Sequence, residues 1–203
     1  MGYPVAYAAA MSRAPWSGLI LALVVLPFWT SVLVRAYAWL VILQRTGVAN
    51  QLLERIGLIS EPLALAHNEL GATIATVHIL LPFMVLPIYA SMQQIPPDLM
   101  QAAASLGGGP AFAFRRVFLP LTLPGIVSGM SLVFILTLGF YITPELLGGG
   151  RETMISMVVS RNVELYQQWG AASAVGMVLL ALVGLIFFAA SRFISIDRML
   201  GPK

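Results

Sequence analysis

The chain has 203 residues, of which 59% are hydrophobic and only 9% charged, and its formal net charge is +3. A soluble domain carries roughly a quarter charged residues to solvate its surface, so there are too few here to coat a globule of this size, and lipid must be the solvent for most of the chain. The basic residues are scattered singly between apolar blocks, which excludes a nucleic-acid-binding stripe, and the absence of cysteine excludes disulfides and thiolate metal sites.

Gly2–Met11 is apolar but about half as long as the roughly 20 residues a membrane span needs. At about 1.5 Å per residue it reaches midway across the hydrocarbon, where a charged amino terminus is costly. The expectation is that it finishes a span begun upstream of Met1. Met1–Ala14 is not a signal peptide, because no positive region precedes its apolar stretch. Four blocks are long enough to cross completely: Trp16–Leu43, Asn68–Met92, Pro120–Thr143 and Ala171–Ser191. The predicted fold is therefore all-α, one polytopic helix bundle over 1–203. It comprises a partial span at 2–11, complete spans at 16–43, 68–92, 120–143 and 171–191, a structured loop at 93–119 and a tail at 192–203. Pro27, Pro82, Pro87, Pro120 and Pro124 each remove a backbone donor and bend their spans.

Lysine and arginine placement predicts the orientation. If the loop at Arg13, the loop at Arg115 and Arg116 and the tail face the cytoplasm, that side holds Arg13, Arg115, Arg116, Arg192, Arg198 and Lys203 against Asp98 and Asp197. The outer side then holds Arg45, Arg55, Arg151 and Arg161 against Glu54, Glu61, Glu69, Glu145, Glu152 and Glu164, and is net acidic.

The loop 93–119 is too long for a simple turn. Pro96-Pro97-Asp98 reads as a helix start, with Asp98 as N-cap and Gln101 completing a capping box. Leu99, Met100, Ala102, Ala103 and Leu106 then give a short helix with a small-residue face, and Gly107 stops it. A second short segment, Ala111–Phe118, leads to Leu119-Pro120 at the next span. Such a helix, held between two spans by a glycine hinge, can dock into a groove of another protein, Ala102 and Ala103 permitting close approach.

Gln101-Ala102-Ala103, three residues, Gly107, nine residues and Val117-Phe118-Leu119-Pro120 resemble the cytoplasmic signature of ABC importer permeases, which runs Glu-Ala-Ala, three residues, Gly, nine residues, Ile, any residue, Leu-Pro. Gln101 replaces the glutamate and loses its charge; Val117 replaces the isoleucine conservatively. Gly2-Tyr3-Pro4-Val5-Ala6-Tyr7, Leu26-Pro27-Phe28-Trp29-Thr30-Ser31, Val34-Arg35-Ala36-Tyr37-Ala38-Trp39 and Thr143-Pro144-Glu145-Leu146-Leu147-Gly148-Gly149-Gly150 look like the spermidine/putrescine branch. The resemblance implies the type I importer bundle of about six spans in a bacterial inner membrane. It implies a coupling helix at Asp98–Gly107 seated in an ATPase cleft, with Asp98, Leu99, Gln101, Ala102, Ala103, Gly107, Leu119 and Pro120 as the coupling residues. It also implies partners: a pair of ATP-binding subunits, a second permease forming a heterodimer, and a periplasmic solute-binding protein. This chain has no Gly-x-x-x-x-Gly-Lys-Ser/Thr loop, so ATP and Mg belong to the partner ATPase, and no cofactor or catalytic residue is expected here.

Arg35, Tyr37, Trp39, Tyr89, Tyr141 and Glu145 are the candidate pathway residues. Arg35 lies some 25 Å along its span counted from Gly18, at about 1.5 Å per residue. There it either snorkels to the outer interface, limits passage or holds a carboxylate such as Glu145. Trp29, Tyr37, Trp39, Tyr89, Phe140 and Tyr141 suit an interfacial belt or core packing as well as cation–π contact with a polyamine, and Glu145 at an outer helix end can draw in a cation. His67 and His78 stand three helical turns apart, too far to share a metal. A secondary transporter or channel is the competing function. It needs coupling-ion residues inside the spans, which hold little charge beyond Arg35 and Glu69.

Overall fold

The computed structural model describes residues 1–150 and 154–193, and every regular element among them is helical. They fall into two compact units, Met1–Glu152 and Thr153–Lys203. Of the charges used for orientation, Arg151, Glu152, Asp197, Arg198 and Lys203 lie outside the described residues.

The first unit is built around one long helix. α1 (Gly2–Met11) and α2 (Trp16–Val25) precede a 3-10 turn at Leu26–Trp29, and α3 (Val32–Leu43) and α4 (Val48–Arg55) follow. The apolar block Trp16–Leu43 is thus two helices and not one continuous rod. Pro27 brings no N–H and tightens the chain into the 3-10 turn. Thr30 then folds back onto the Pro27 carbonyl, its N–H donating at 3.2 Å and its hydroxyl at 2.6 Å. Thr30 and Ser31 are extended, and α3 starts afresh.

α5 (Glu69–Gln93) is the long central helix. Asn68 starts it: the side-chain oxygen accepts the Gly71 N–H at 2.8 Å, and the side-chain amide donates to the Ala64 carbonyl. The broken block runs antiparallel along α5. The Ser17 and Tyr89 hydroxyls lie 3.4 Å apart near one end, the Phe28 and Phe83 rings meet edge-on at 5.5 Å in the middle, and Trp39 reaches His78 towards the other end. Interrupted or not, Trp16–Leu43 travels the length of its neighbour.

A short α6 (Pro97–Ser105) follows α5, then α7 (Pro110–Ala113) passes through a π-helical turn at Phe114–Phe118 into α8 (Leu119–Gly139). The expected separate segment Ala111–Phe118 is therefore continuous with the next span. The π turn has a local cause. Pro120 cannot donate to the Arg116 carbonyl, and its ring would crowd that group in an α-turn. The helix widens just before it, Leu119 N–H bonding to the Phe114 carbonyl five residues back. α8 lies against α5 through a glycine seam: a Cβ on Gly125 would fall 2.5 Å from Ser91 Cβ and 2.7 Å from the Pro87 carbonyl oxygen. The block Pro120–Thr143 also breaks: the chain leaves the helix ahead of Pro144, whose missing N–H would interrupt the ladder there. The chain is non-helical at Phe140–Tyr141, and Pro144 falls in the first turns of a new helix, α9 (Ile142–Leu147).

Two cores result. Ala6, Val85, Ile88, Met92 and Phe118 form one, at the α6 end of α5. Ala36, Leu43, Ala72, Ala75 and Leu147 form the other, at the opposite end. In the second unit, α10 (Ile155–Glu164) packs against α11 (Trp169–Phe193), which contains the expected span 171–191. Among the described residues, Glu69–Gln93, Pro110–Gly139 and Trp169–Phe188 are long and apolar enough to cross a membrane; Val32–Arg55 has the length and composition too, but the chain breaks between α3 and α4.

Candidate coupling and pathway residues

α6 begins two positions earlier than its sequence suggests. Pro96 is the N-cap and Pro97 the first helical residue, so Asp98 sits inside the first turn and makes no capping hydrogen bond. The capping box with Gln101 is not formed. Proline at the first position has no donor to satisfy and a pre-set φ, which is why it displaces Asp98 inward. An exposed carboxylate there still complements the positive helix end.

The other end closes as expected. Gly107 adopts φ +82°, its N–H donates to the Ala104 carbonyl at 3.0 Å, and the Gly108 N–H donates to Ala103 at 3.0 Å. This paired closure, with a left-handed residue just past the helix, is the Schellman arrangement.

The two faces of α6 differ in what they meet. Ala103 is buried and Met100 packs against the core that contains Phe118. Leu99, Ala102 and Leu106 face outward, Leu106 with 89% of its surface exposed. Of the two alanines assigned to close approach, only Ala102 is available; Ala103 holds the helix to its own bundle. Gln101 is exposed, Leu119 half-buried and Pro120 exposed at the start of α8. The arrangement offers a short apolar face on a helix braced from behind.

The brace is aromatic. Tyr7 of α1 meets Phe114 edge-on at 5.6 Å and Phe118 at 5.7 Å, and the latter two stack on each other at 5.8 Å. Tyr3 meets Phe114 at 6.4 Å, and its hydroxyl lies 3.4 Å from that of the fully buried Thr122. The sequence motifs contain Tyr3, Tyr7 and Phe118 but do not pair them. The i, i+4 spacing of Phe114 and Phe118 was visible, but their partners on α1 are over a hundred residues away.

The pathway candidates do not gather in one place. Tyr89 packs at the α6 end of α5, whereas Trp39 packs on the core at the opposite end. Tyr37 and Tyr141 are exposed, and so is Glu145 in the first turn of α9. Arg35 is turned towards the break at Pro27. It is 9% exposed, its guanidinium carbon lies 5.9 Å from the centre of the Phe28 ring, and its Nε has no hydrogen-bond partner. The break at Pro27 explains this geometry: by ending α2 early it brings Phe28 back over the first turn of α3. Beside it, Trp39 Nε1 donates to His78 Nδ1 at 3.2 Å. An indole N–H can only donate, so His78 accepts on that nitrogen. Thr76 and Thr143 also bury hydroxyls without partners. Among the described residues no group of acidic, histidine or cysteine side chains has the makings of a metal site.

Residues 2–198 match the family described as "Binding-protein-dependent transport system inner membrane component". The chain is 35% identical over 198 residues to the spermidine/putrescine transport system permease protein PotB of Haemophilus influenzae, covering 96% of this chain and 69% of that protein. It is 33% identical to PotB of Escherichia coli K12, covering 96% and 72%. With the inner membrane ABC transporter permease protein YdcU of the same organism it shares 38% identity over 176 residues, 80% of this chain and 56% of that one. Among solved structures, a bacterial ABC transporter involved in import of the acidic polysaccharide alginate has the same fold, with TM-score 0.69 at 22% identity over 96% of this chain and 74% of that one.

Proposed function

The chain belongs to the family of binding-protein-dependent transport system inner membrane components, a multi-pass permease of an ABC importer and not an enzyme, and from that premise we propose that it conducts polyamines of the spermidine/putrescine class. The substrate class rests on the PotB relatives, which align along nearly the whole chain, and on the exposed Glu54, Glu61 and Glu69 at the end of the unit opposite α6. Carboxylates at that mouth raise the local concentration of a cationic solute.

Such a permease works with an ATPase and a solute-binding protein. In the arrangement proposed here, two ATP-binding subunits hold ATP and Mg, and a second permease completes the pathway. α6 is the lever, lying on the cytoplasmic side. The observation that carries this is the division of α6 into two faces: Met100 packs on the core of α5 and the π turn and Ala103 is buried, while Leu99, Ala102 and Leu106 stand outward for an ATPase groove. Closure of the ATPases pushes on the outward face, and because Met100 of α6 packs on the core of Phe118, which in turn meets Tyr7, the push is passed to α1, α5 and α8 together. Leu119 and Pro120 then set where the moving segment joins the span.

The test is uptake by the assembled complex with its binding protein, using labelled spermidine, putrescine and a dicarboxylate of similar length. The proposal expects saturable uptake of the amines only; equal uptake of the dicarboxylate refutes the substrate class. Ala102→Glu tests the lever separately, with loss of ATPase co-purification expected while membrane insertion is unchanged.

A further inference from the structure

α4 carries three faces where a surface helix needs two. Val48, Leu52 and, at its C-terminal cap, Ile56 recur every four residues and are 65%, 59% and 59% exposed. At about 100° per residue they cover an arc of roughly 80°. On one side of this arc the helix turns to its own protein. Ala49 packs on the core of Ala36, Leu43 and Ala72, and Asn50 is wholly buried. On the other side Gln51, Glu54 and Arg55 are exposed and polar. The first face has protein and the third has water; the apolar arc between them needs an apolar neighbour.

Its depth identifies that neighbour. Ala49 shares a core cluster with Ala72, in the first turn of α5. α5 has 25 residues, about 37 Å at 1.5 Å per residue, against a hydrocarbon thickness of about 30 Å, so its first turn reaches the headgroup level. The exposed side of α3, with Val34, Tyr37 and Val41, is apolar and leads directly to Val48. Arg45 before α4 and Arg55 beside the apolar arc are both exposed, placed where guanidinium groups meet lipid phosphate. Asn50 fixes the helix in this attitude: its side-chain amide donates to the Gln44 and Leu63 carbonyls at 3.0 and 2.9 Å, and its oxygen accepts the Leu63 N–H at 3.0 Å.

We propose that α4 is an interfacial helix, its Val48–Leu52–Ile56 stripe bedded at the boundary between acyl chains and headgroups, with Arg45 and Arg55 at the phosphate level. It ties the end of α3 to a fixed depth, so that when the bundle tilts this corner acts as the pivot.

The chain has no cysteine, so a single introduced one can be labelled uniquely. Leu52→Cys and Glu54→Cys, each carrying an environment-sensitive fluorophore, are compared in the full chain in phosphatidylethanolamine/phosphatidylglycerol vesicles. The proposal expects doxyl-labelled lipid to quench the probe at 52 at least threefold more than the probe at 54, and iodide on both sides of the membrane to do the reverse. Equal responses at the two positions overturn it. A probe at 52 shielded from both quenchers also overturns it, because another protein segment then covers the stripe. Shielding from iodide that develops only on adding purified binding protein overturns it in favour of a protein dock.

Discussion

Arg35 lies under the ring of Phe28, with 5.9 Å between its guanidinium carbon and the ring centre, and the pair closes the gap left where Pro27 interrupts the helix. A cation–π contact of this kind contributes about 0.5–2 kcal/mol, which offsets only part of the cost of holding a charge out of water with its Nε unbonded.

Arg35→Met is expected to leave the melting temperature of the purified complex unchanged or raised while uptake falls at least tenfold. Thermal unfolding and transport measured on the same preparation check it; a marked drop in melting temperature contradicts the assignment.

Gly125→Leu pushes a side chain into Ser91 and the Pro87 carbonyl, on backbone that has nowhere to move. Overpacking of this kind costs about 1–3 kcal/mol or more, and the yield of monodisperse protein on size exclusion should fall sharply. Gly139→Ala is the matched control, since a Cβ there meets nothing within 4 Å; it should behave as the parent.

Gly107→Val places a branched side chain at φ +82°, a strain of about 1–3 kcal/mol. The Schellman closure should open and α6 fray. Binding-protein-stimulated ATP hydrolysis and uptake are expected to fall together, while Gly107→Asn, which tolerates that region, retains most of both.

Asn50→Ala removes three hydrogen bonds and leaves the Leu63 N–H and two carbonyls to find new partners. Each buried group left unsatisfied costs about 1–3 kcal/mol. Limited proteolysis should cut within residues 56–66 faster than in the parent, with the spans still protected.

Tyr7→Leu and Phe114→Leu are expected to be non-additive. Their ring contact at 5.6 Å predicts a coupling of about 0.5–1.5 kcal/mol in a double-mutant cycle on unfolding. Additive effects would mean that α1 is not braced on the loop through these rings.

The apolar lengths of the spans were legible in the sequence because lipid imposes a minimum length that no soluble helix needs. The place of α6 was legible because Pro96-Pro97 and Gly107 punctuate the backbone regardless of context. The capping residue was not, since Asp98 is a favoured cap until Pro97 takes the first helical position ahead of it. Nor were the breaks at Thr30–Ser31 and Phe140–Tyr141. A proline inside an apolar run is either accommodated within a helix, as Pro82 and Pro87 are in α5, or ends it, and neighbouring packing decides which. The pathway candidates were chosen by residue type, and type alone does not say that Arg35 turns inward to Phe28 while Tyr37 turns outward. The sequence offers His78 only as a metal-ligand type; its role as the acceptor for Trp39 depends on two spans lying side by side.

The widened turn at Phe114–Phe118 holds one residue more than an α-turn would. Each residue rotates a helix by about 100°, so this surplus indexes α6 to α8 like a tooth on a ratchet wheel. A single-residue deletion between α6 and Pro120, with Pro120 still forcing a widened turn, would swing the outward leucines about a quarter-turn relative to the Gly125 seam. The angle at which the bundle greets its motor is therefore written as a residue count, and a one-codon deletion would disconnect the two while leaving every side chain of the interface intact.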